Sequence, residues 1–196
     1  MSDEIKEKGF GCDVCDECDC EEKKECECDE SQSCKEESGL LSQFQFSTLN
    51  PNTSGAVTMP IPVVPPGNPL VLATLTLRID DVTDRVWLTG VVGWQGITNG
   101  TGTDKVDAIF SIFRNAPNST TGQLIFSTRQ STEQAPESEF ETASIDHVDN
   151  TPLTIHGKRT VTYFLTAQLP LAGSAGNVIG PITFTAAEIE RNPKHK

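Results

Sequence analysis

The sequence predicts an all-β domain, a jelly-roll-type sandwich of eight or nine strands, preceded by a cysteine-rich acidic segment. Three observations carry this. Apolar residues alternate with period two in many short segments enriched in β-branched side chains. Clusters of Pro, Gly and Asn punctuate those segments. No stretch shows the spacing of an amphipathic helix. Many strands without interleaved helices indicate a sandwich or barrel. A body of 157 residues, counted from Leu40 to Lys196, exceeds the roughly 100 that a seven-strand immunoglobulin sandwich needs, so a jelly roll is favoured.

The segments follow in order from Leu40. Leu41, Phe44 and Phe46 open the β-like series. Val57 to Val64 contains Pro60 and Pro62, which donate no ladder hydrogen bond, so it reads as an edge strand or extended segment. After the turn Pro65-Pro66-Gly67-Asn68-Pro69, Leu70 to Ile79 places Val71, Ala73, Leu75, Leu77 and Ile79 on one face. Arg85 to Gln95 is a strand with Gly90 and Gly93 as points of bulging or close approach. Val106 to Arg114 puts Val106, Ala108, Phe110 and Ile112 on one face, and Gln123 to Gln130 follows a turn at Asn115 to Gly122. Ser138 to Asp146 alternates around Phe140, Thr142 and Ser144, and the following IDHVDNTP reads as loop. Arg159 to Leu169 and Val178 to Ile189 complete the set.

Composition divides the 196 residues sharply. Residues 1–39 hold all seven cysteines, and 15 acidic against 5 basic residues give them a charge of −10. The remainder carries only −3 of the total −13. Apart from Ile5, Phe10 and Val14 the first 39 residues lack large apolar side chains, so alone they cannot offset chain entropy and are expected to be disordered. The body can bury a core without disulfides. Two domains are therefore expected, 1–39 and 40–196.

The overall acidity argues against nucleic acid and anionic membrane surfaces as partners. No apolar run approaches the roughly 18 residues of a membrane span. The acidic start MSDEIKEKGFGC has no apolar core of a secretion signal, so a protein made in the cytoplasm is expected.

Cys12, Cys15, Cys18, Cys20, Cys26, Cys28 and Cys34 admit three readings. CxC and CxxC steps let neighbouring thiolates share a soft metal such as zinc, although the acidic residues between them raise thiol pKa values. The odd count rules out complete pairing within the chain and invites disulfides between chains. A solvated tail with reduced thiols is the third reading.

Catalytic signals are sparse. His147, His156 and His195 are the only histidines, and HExxH, GxSxG, the phosphate-binding GxxxxGK[ST] and GxGxxG after a strand are all missing from the sequence. No enzymatic activity and no cofactor are expected. Asp146-His147 with Asp149 reads as an exposed strand end before it reads as a metal or acid–base site. Asp80, Asp81 and Asp84 read as a solvated turn paired with Arg78 or Arg85, because their spacing fits no calcium loop. The sequons at Asn52, Asn99 and Asn118 carry little weight without a secretion signal. Trp87 and Trp94, seven residues apart in one strand, project to opposite faces, and Trp94 is the candidate exposed binding aromatic for a ligand or glycan.

The stretch MPIPVVPPGNPLVLATLTLRIDDVTDRVWLTGVVGWQG, with IFRNAP, LIFSTR and GPITFTAAEI further on, resembles a small domain family of unassigned activity from anaerobic spore-forming bacteria. The resemblance covers most of residues 40–193. More distantly, a cysteine-bearing N-terminal arm ahead of a jelly roll is similar to the architecture of endospore appendage (pilus) and exosporium subunits. That likeness implies a self-assembling spore-surface subunit, a homo-oligomer or filament with other coat or exosporium proteins as further partners. It also implies bridging by inter-subunit disulfides, with Cys12, Cys15 and Cys18 foremost. Here the arm has seven cysteines in CxxC and CxC steps rather than an adjacent pair plus one, and the body has none. In a homopolymer, bridges would therefore run arm to arm. Strand addition at the Val57 to Val64 segment or after Leu40 is the expected non-covalent contact.

Overall fold

The structure is a computed structural model, and it describes residues 41–49, 58–65, 68–79, 81, 83–97, 105–133, 140–150, 160–170, 172 and 175–190. The chain divides into Met1–Ser38 and Gly39–Lys196, and every described residue belongs to the second unit.

Nine strands, and no helix, form among the described residues: β1 (Leu41–Thr48), β2 (Met59–Pro60), β3 (Leu70–Arg78), β4 (Arg85–Ile97), β5 (Lys105–Arg114), β6 (Gln123–Glu133), β7 (Phe140–Asp149), β8 (Thr160–Gln168) and β9 (Ala175–Ile189). One sheet has the order β1-β9-β4-β7, with β2 also on β9, and the other has the order β3-β8-β5-β6. All these pairings are antiparallel. Each sheet interleaves early and late strands, which is the jelly-roll arrangement of two wound Greek keys. β1 and β2 act as two pieces of one edge strand: β1 pairs with Thr183–Ile189 of β9 and β2 with Asn177 and Val178.

The proline-bearing segment does lie at an edge. Ile61 N–H donates to Gly176 at 2.8 Å. Beyond it, Val64 N–H donates to Leu169 and Leu169 N–H to Pro62, tying the end of β8 in the second sheet to the edge of the first.

The core lies between the sheets. Ala73, Leu75 and Leu77 come from one face of β3 and Ile79 follows its end, while Val106, Ala108, Phe110 and Ile112 come from β5. Leu88, Val92, Phe184, Ile182, Leu165 and Tyr163 complete the centre. Period-two alternation is thus realised in the burial of both sheets. Val71 departs from its expected face: the ladder slips between Val71 and Ala73, and Val71 is exposed. Of the two glycines singled out in β4, only Gly93 sits at a close approach, against Gly180; Gly90 meets its neighbours at ordinary van der Waals distance.

β7 corrects the sequence reading. Its strand runs through IDHVD to Asp149, paired throughout with β4, and its core residues are Ala143 and Ile145, whereas Phe140, Thr142 and Ser144 face solvent. Polar residues inside this strand mimic a loop because their partners come from distant strands.

Candidate interaction surface

The register of the first sheet assigns each side chain on its outer face. Phe44 of β1 aligns with Ala187 of β9, which aligns with Trp87 of β4, which aligns with Val148 of β7. Two residues along, the row reads Phe46, Thr185, Thr89 and Asp146. The next outward row is Thr48, Thr183, Val91 and Ser144. Leu41 and Ile189 are paired at the strand ends. The face is apolar and aromatic where β1 begins and hydroxyl-rich toward its middle.

Exposure distinguishes this region from the core. Leu41 is 57% exposed, Phe44 53%, Phe46 64% and Trp87 44%. The Phe44 and Phe46 rings stack with centroids 6.2 Å apart. β1 has no buried residue along its whole length. It is held by its ladder to β9, by Ser42 Oγ donating to Glu188 at 2.8 Å, and by Gln43, whose side-chain oxygen accepts from Arg78 N–H at 2.8 Å. The stretch after Leu40 therefore pairs within its own chain, while its aromatic side chains project outward from the sandwich.

The polar groups within the aromatic region are paired with one another. Trp87 Nε1–H donates to Asp146 Oδ1 at 2.6 Å, and the Thr89 and Thr185 hydroxyls share a hydrogen bond. Each of these groups keeps one hydrogen-bond partner when the surface is covered, which lowers the cost of covering it.

Trp94 corrects an expectation. It is wholly buried, packing edge-on against Phe110 with ring centroids 5.9 Å apart, and its indole N–H has no hydrogen-bond partner among the described residues. The exposed tryptophan is Trp87. The two do project to opposite faces; the face packed between the sheets is that of Trp94.

The remaining candidates disperse. Asp146 turns outward to Trp87, and His147 lies 5.2 Å from the Phe126 ring of β6. Asp149 turns into the core, where Arg114 Nη1 and the Tyr163 hydroxyl both donate to Oδ2 at 2.9 Å. Arg114 also donates to the side-chain oxygen of Gln123. Burial and then the Asp149 carboxylate push the Tyr163 phenol well above its ordinary pKa of 10.0. This network links β5, β6, β7 and β8 through a buried ion pair. Asp81 Oδ1 accepts from Thr83 N–H at 2.8 Å, a local turn. Asn118 Oδ1 accepts from the N–H groups of Thr120 and Thr121, shaping the turn before β6.

Among the described residues, no group of three or more His, Cys, Asp or Glu is placed to hold a metal ion, and no helix is long and apolar enough to cross a membrane. Cys12, Cys15, Cys18, Cys20, Cys26, Cys28 and Cys34, His156, His195, Asp80, Asn52 and Asn99 lie outside the described residues.

No family model matches the chain, and no curated protein matches it. Among solved structures, dimeric latent PorU from Porphyromonas gingivalis is similar with 14% identity and a TM-score of 0.39, over 76% of this chain and 13% of that one. A mutant VP2 protein of infectious bursal disease virus, in derived T=1 particles, is similar with 10% identity and a TM-score of 0.32, over 76% of this chain and 37% of that one. A Gt-strain structure of the same virus gives 12% identity and a TM-score of 0.28, over 78% of this chain and 38% of that one. The chain thus spans well under half the length of each.

Proposed function

We propose that the chain is a structural, self-assembling subunit of a bacterial spore-surface layer or appendage filament, without enzymatic activity. In this reading it is made in the mother-cell cytoplasm, and copies join by exchange of the N-terminal arm or edge strand. The arm cysteines then lock the assembly through inter-subunit disulfides. The observation that carries the reading is β1: the strand that directly follows the cysteine-rich segment lies at a sheet edge, buries no side chain, and presents Leu41, Phe44 and Phe46 outward. An edge strand bearing exposed apolar residues is a template for association. A reducing cytoplasm keeps thiols free, so locking follows release, with each disulfide passing two electrons and two protons to an external oxidant such as dioxygen.

A second reading rests on the CxxC and CxC spacing, in which the cysteines hold zinc or another soft metal and the sandwich is a carrier. One experiment separates them. Purified material is run on a denaturing gel with and without reductant, and its metal content is measured by elemental analysis. Reductant-sensitive ladders without stoichiometric metal support disulfide locking. Monomers carrying several metal equivalents support the cluster and overturn the first reading.

A further inference from the structure

We propose that the outer face of the β1-β9-β4-β7 sheet, centred on Phe44, Phe46 and Trp87, is a face-to-face docking surface for a second copy of this chain. The choice of occupant rests on the self-assembly reading; the surface itself rests on geometry, area and charge.

The area suits a protein partner. Strands are spaced about 4.8 Å apart and rise about 3.3 Å per residue. The four strands run for eight, fifteen, thirteen and ten residues, which gives a face of roughly 700 Å². That is close to what each partner contributes to a standard stable interface, about 800 Å². A second sheet laid on this one at about 10 Å would repeat the packing already used inside the sandwich.

Charge points to a second copy. The chain carries −13, but residues 40–196, which form the sandwich, carry only −3, so contact between copies is least opposed through a sandwich face with balanced charge. Among the described residues that strand alternation turns outward on this face, only Arg85 and Asp146 are charged, one of each sign. The Asp146 carboxylate is already engaged by Trp87. Two copies can therefore approach here with little net repulsion. The N-terminal segment suits the face poorly: its charge is −10 and its large apolar residues are three.

The internal pairing also favours a protein over a polysaccharide. A sugar chain is held by hydrogen bonds to free polar groups beside the aromatic rings. Here the indole N–H of Trp87 donates to Asp146, and the hydroxyls of Thr89 and Thr185 share one hydrogen bond, within the face. What the Phe44–Trp87 end of the face offers is chiefly aromatic and aliphatic area, which a protein interface core uses, while the hydroxyls of Thr48, Thr183 and Ser144 lie in the row beyond Phe46.

The test uses the full chain in reductant, so that no disulfide contributes, with sedimentation velocity over a concentration series. A reversible dimer is expected. Phe46→Lys should weaken its Kd at least tenfold, while Leu124→Lys, an exposed position on β6 of the other sheet, should leave it unchanged. Far-UV circular dichroism and the thermal midpoint check that each variant is folded. Phe44→Lys serves as the second probe should Phe46→Lys unfold. A chain monomeric at every concentration, or a dimer indifferent to both lysines, overturns the proposal. So does a monomer whose Trp87 emission responds to soluble polysaccharide. A dimer that persists in reductant while the oxidised protein forms no ladders would keep this surface and sink the disulfide-locked reading alone.

Discussion

Gly93 of β4 lies so close to Gly180 of β9 that a Cβ added to Gly93 would fall on the Gly180 carbonyl oxygen. The register explains the crowding. Val92 pairs with Ile182 and Trp94 with Val178, so Ile179, Gly180 and Pro181 stand opposite the single Gly93. β9 bulges there, and Gly180 reaches a φ of 77°, in the left-handed region that favours glycine. The obstructing atom is backbone, which cannot swing aside. Gly93→Ala is expected to cost about 3 kcal/mol or more, at the upper end of overpacking penalties. Urea denaturation reads this directly, and a loss below about 1 kcal/mol would contradict the close approach.

The buried pair Arg114–Asp149 makes a second prediction. Arg114→Met leaves the Asp149 carboxylate facing the core without its guanidinium, a change expected to cost about 3–5 kcal/mol. Tyr163→Phe removes one hydrogen bond to a charged acceptor and should cost about 1.5–3 kcal/mol. Replacing both members of the pair with apolar residues should recover much of the larger loss. Chemical denaturation of the three variants tests the order; a single Arg114 variant as stable as the parent would refute it.

Asp107 sets a pH dependence. Hydrogen bonds from Arg129 and then Ser131 hold its carboxyl below the ordinary value of 3.8. Because the folded value is depressed, this stabilisation is complete above pH 3.8 and is lost as pH falls through the folded value. Asp107→Asn should therefore be less stable than the parent at neutral pH, with the gap closing in acid. Thermal midpoints of both proteins across that range give the comparison, and a gap that widens in acid would contradict the assignment.

β1 should open before the rest of its sheet. It buries no side chain, whereas β9, its partner, is packed between β1 and β4 and supplies Ile182, Phe184 and Ala186 to the core. Local opening costs least where few apolar contacts are lost. Amides of Phe44–Thr48 should exchange with deuterium well before the β9 amides bonded to β4. Equal protection of the two sets would mean that β1 is integral to the core and unsuited to exchange.

Much of this fold was legible in the sequence because the rule that built it is local. Alternation in Ala73, Leu75 and Leu77, or in Val106, Ala108 and Phe110, is visible without knowing any partner strand. The candidate surface was legible only in part, because its logic is non-local. That Trp87 and Trp94 face opposite ways follows from their spacing, but which one meets the core depends on β4 lying between β7 and β9. The alignment of Phe44 with Ala187 and Trp87 joins positions up to 143 residues apart, and no local pattern records it. Asp149 was hidden for the same reason. An acid beside an Asn-Thr-Pro turn reads as solvated until Arg114 and Tyr163 arrive from other strands.

Electron microscopy of the oxidised, full-length protein, before and after reductant, tests the central claim most directly. The account predicts regular fibres or layers that persist in denaturant and come apart when the thiols are reduced. Oxidised protein that remains a uniform population of single subunits at every concentration would contradict it.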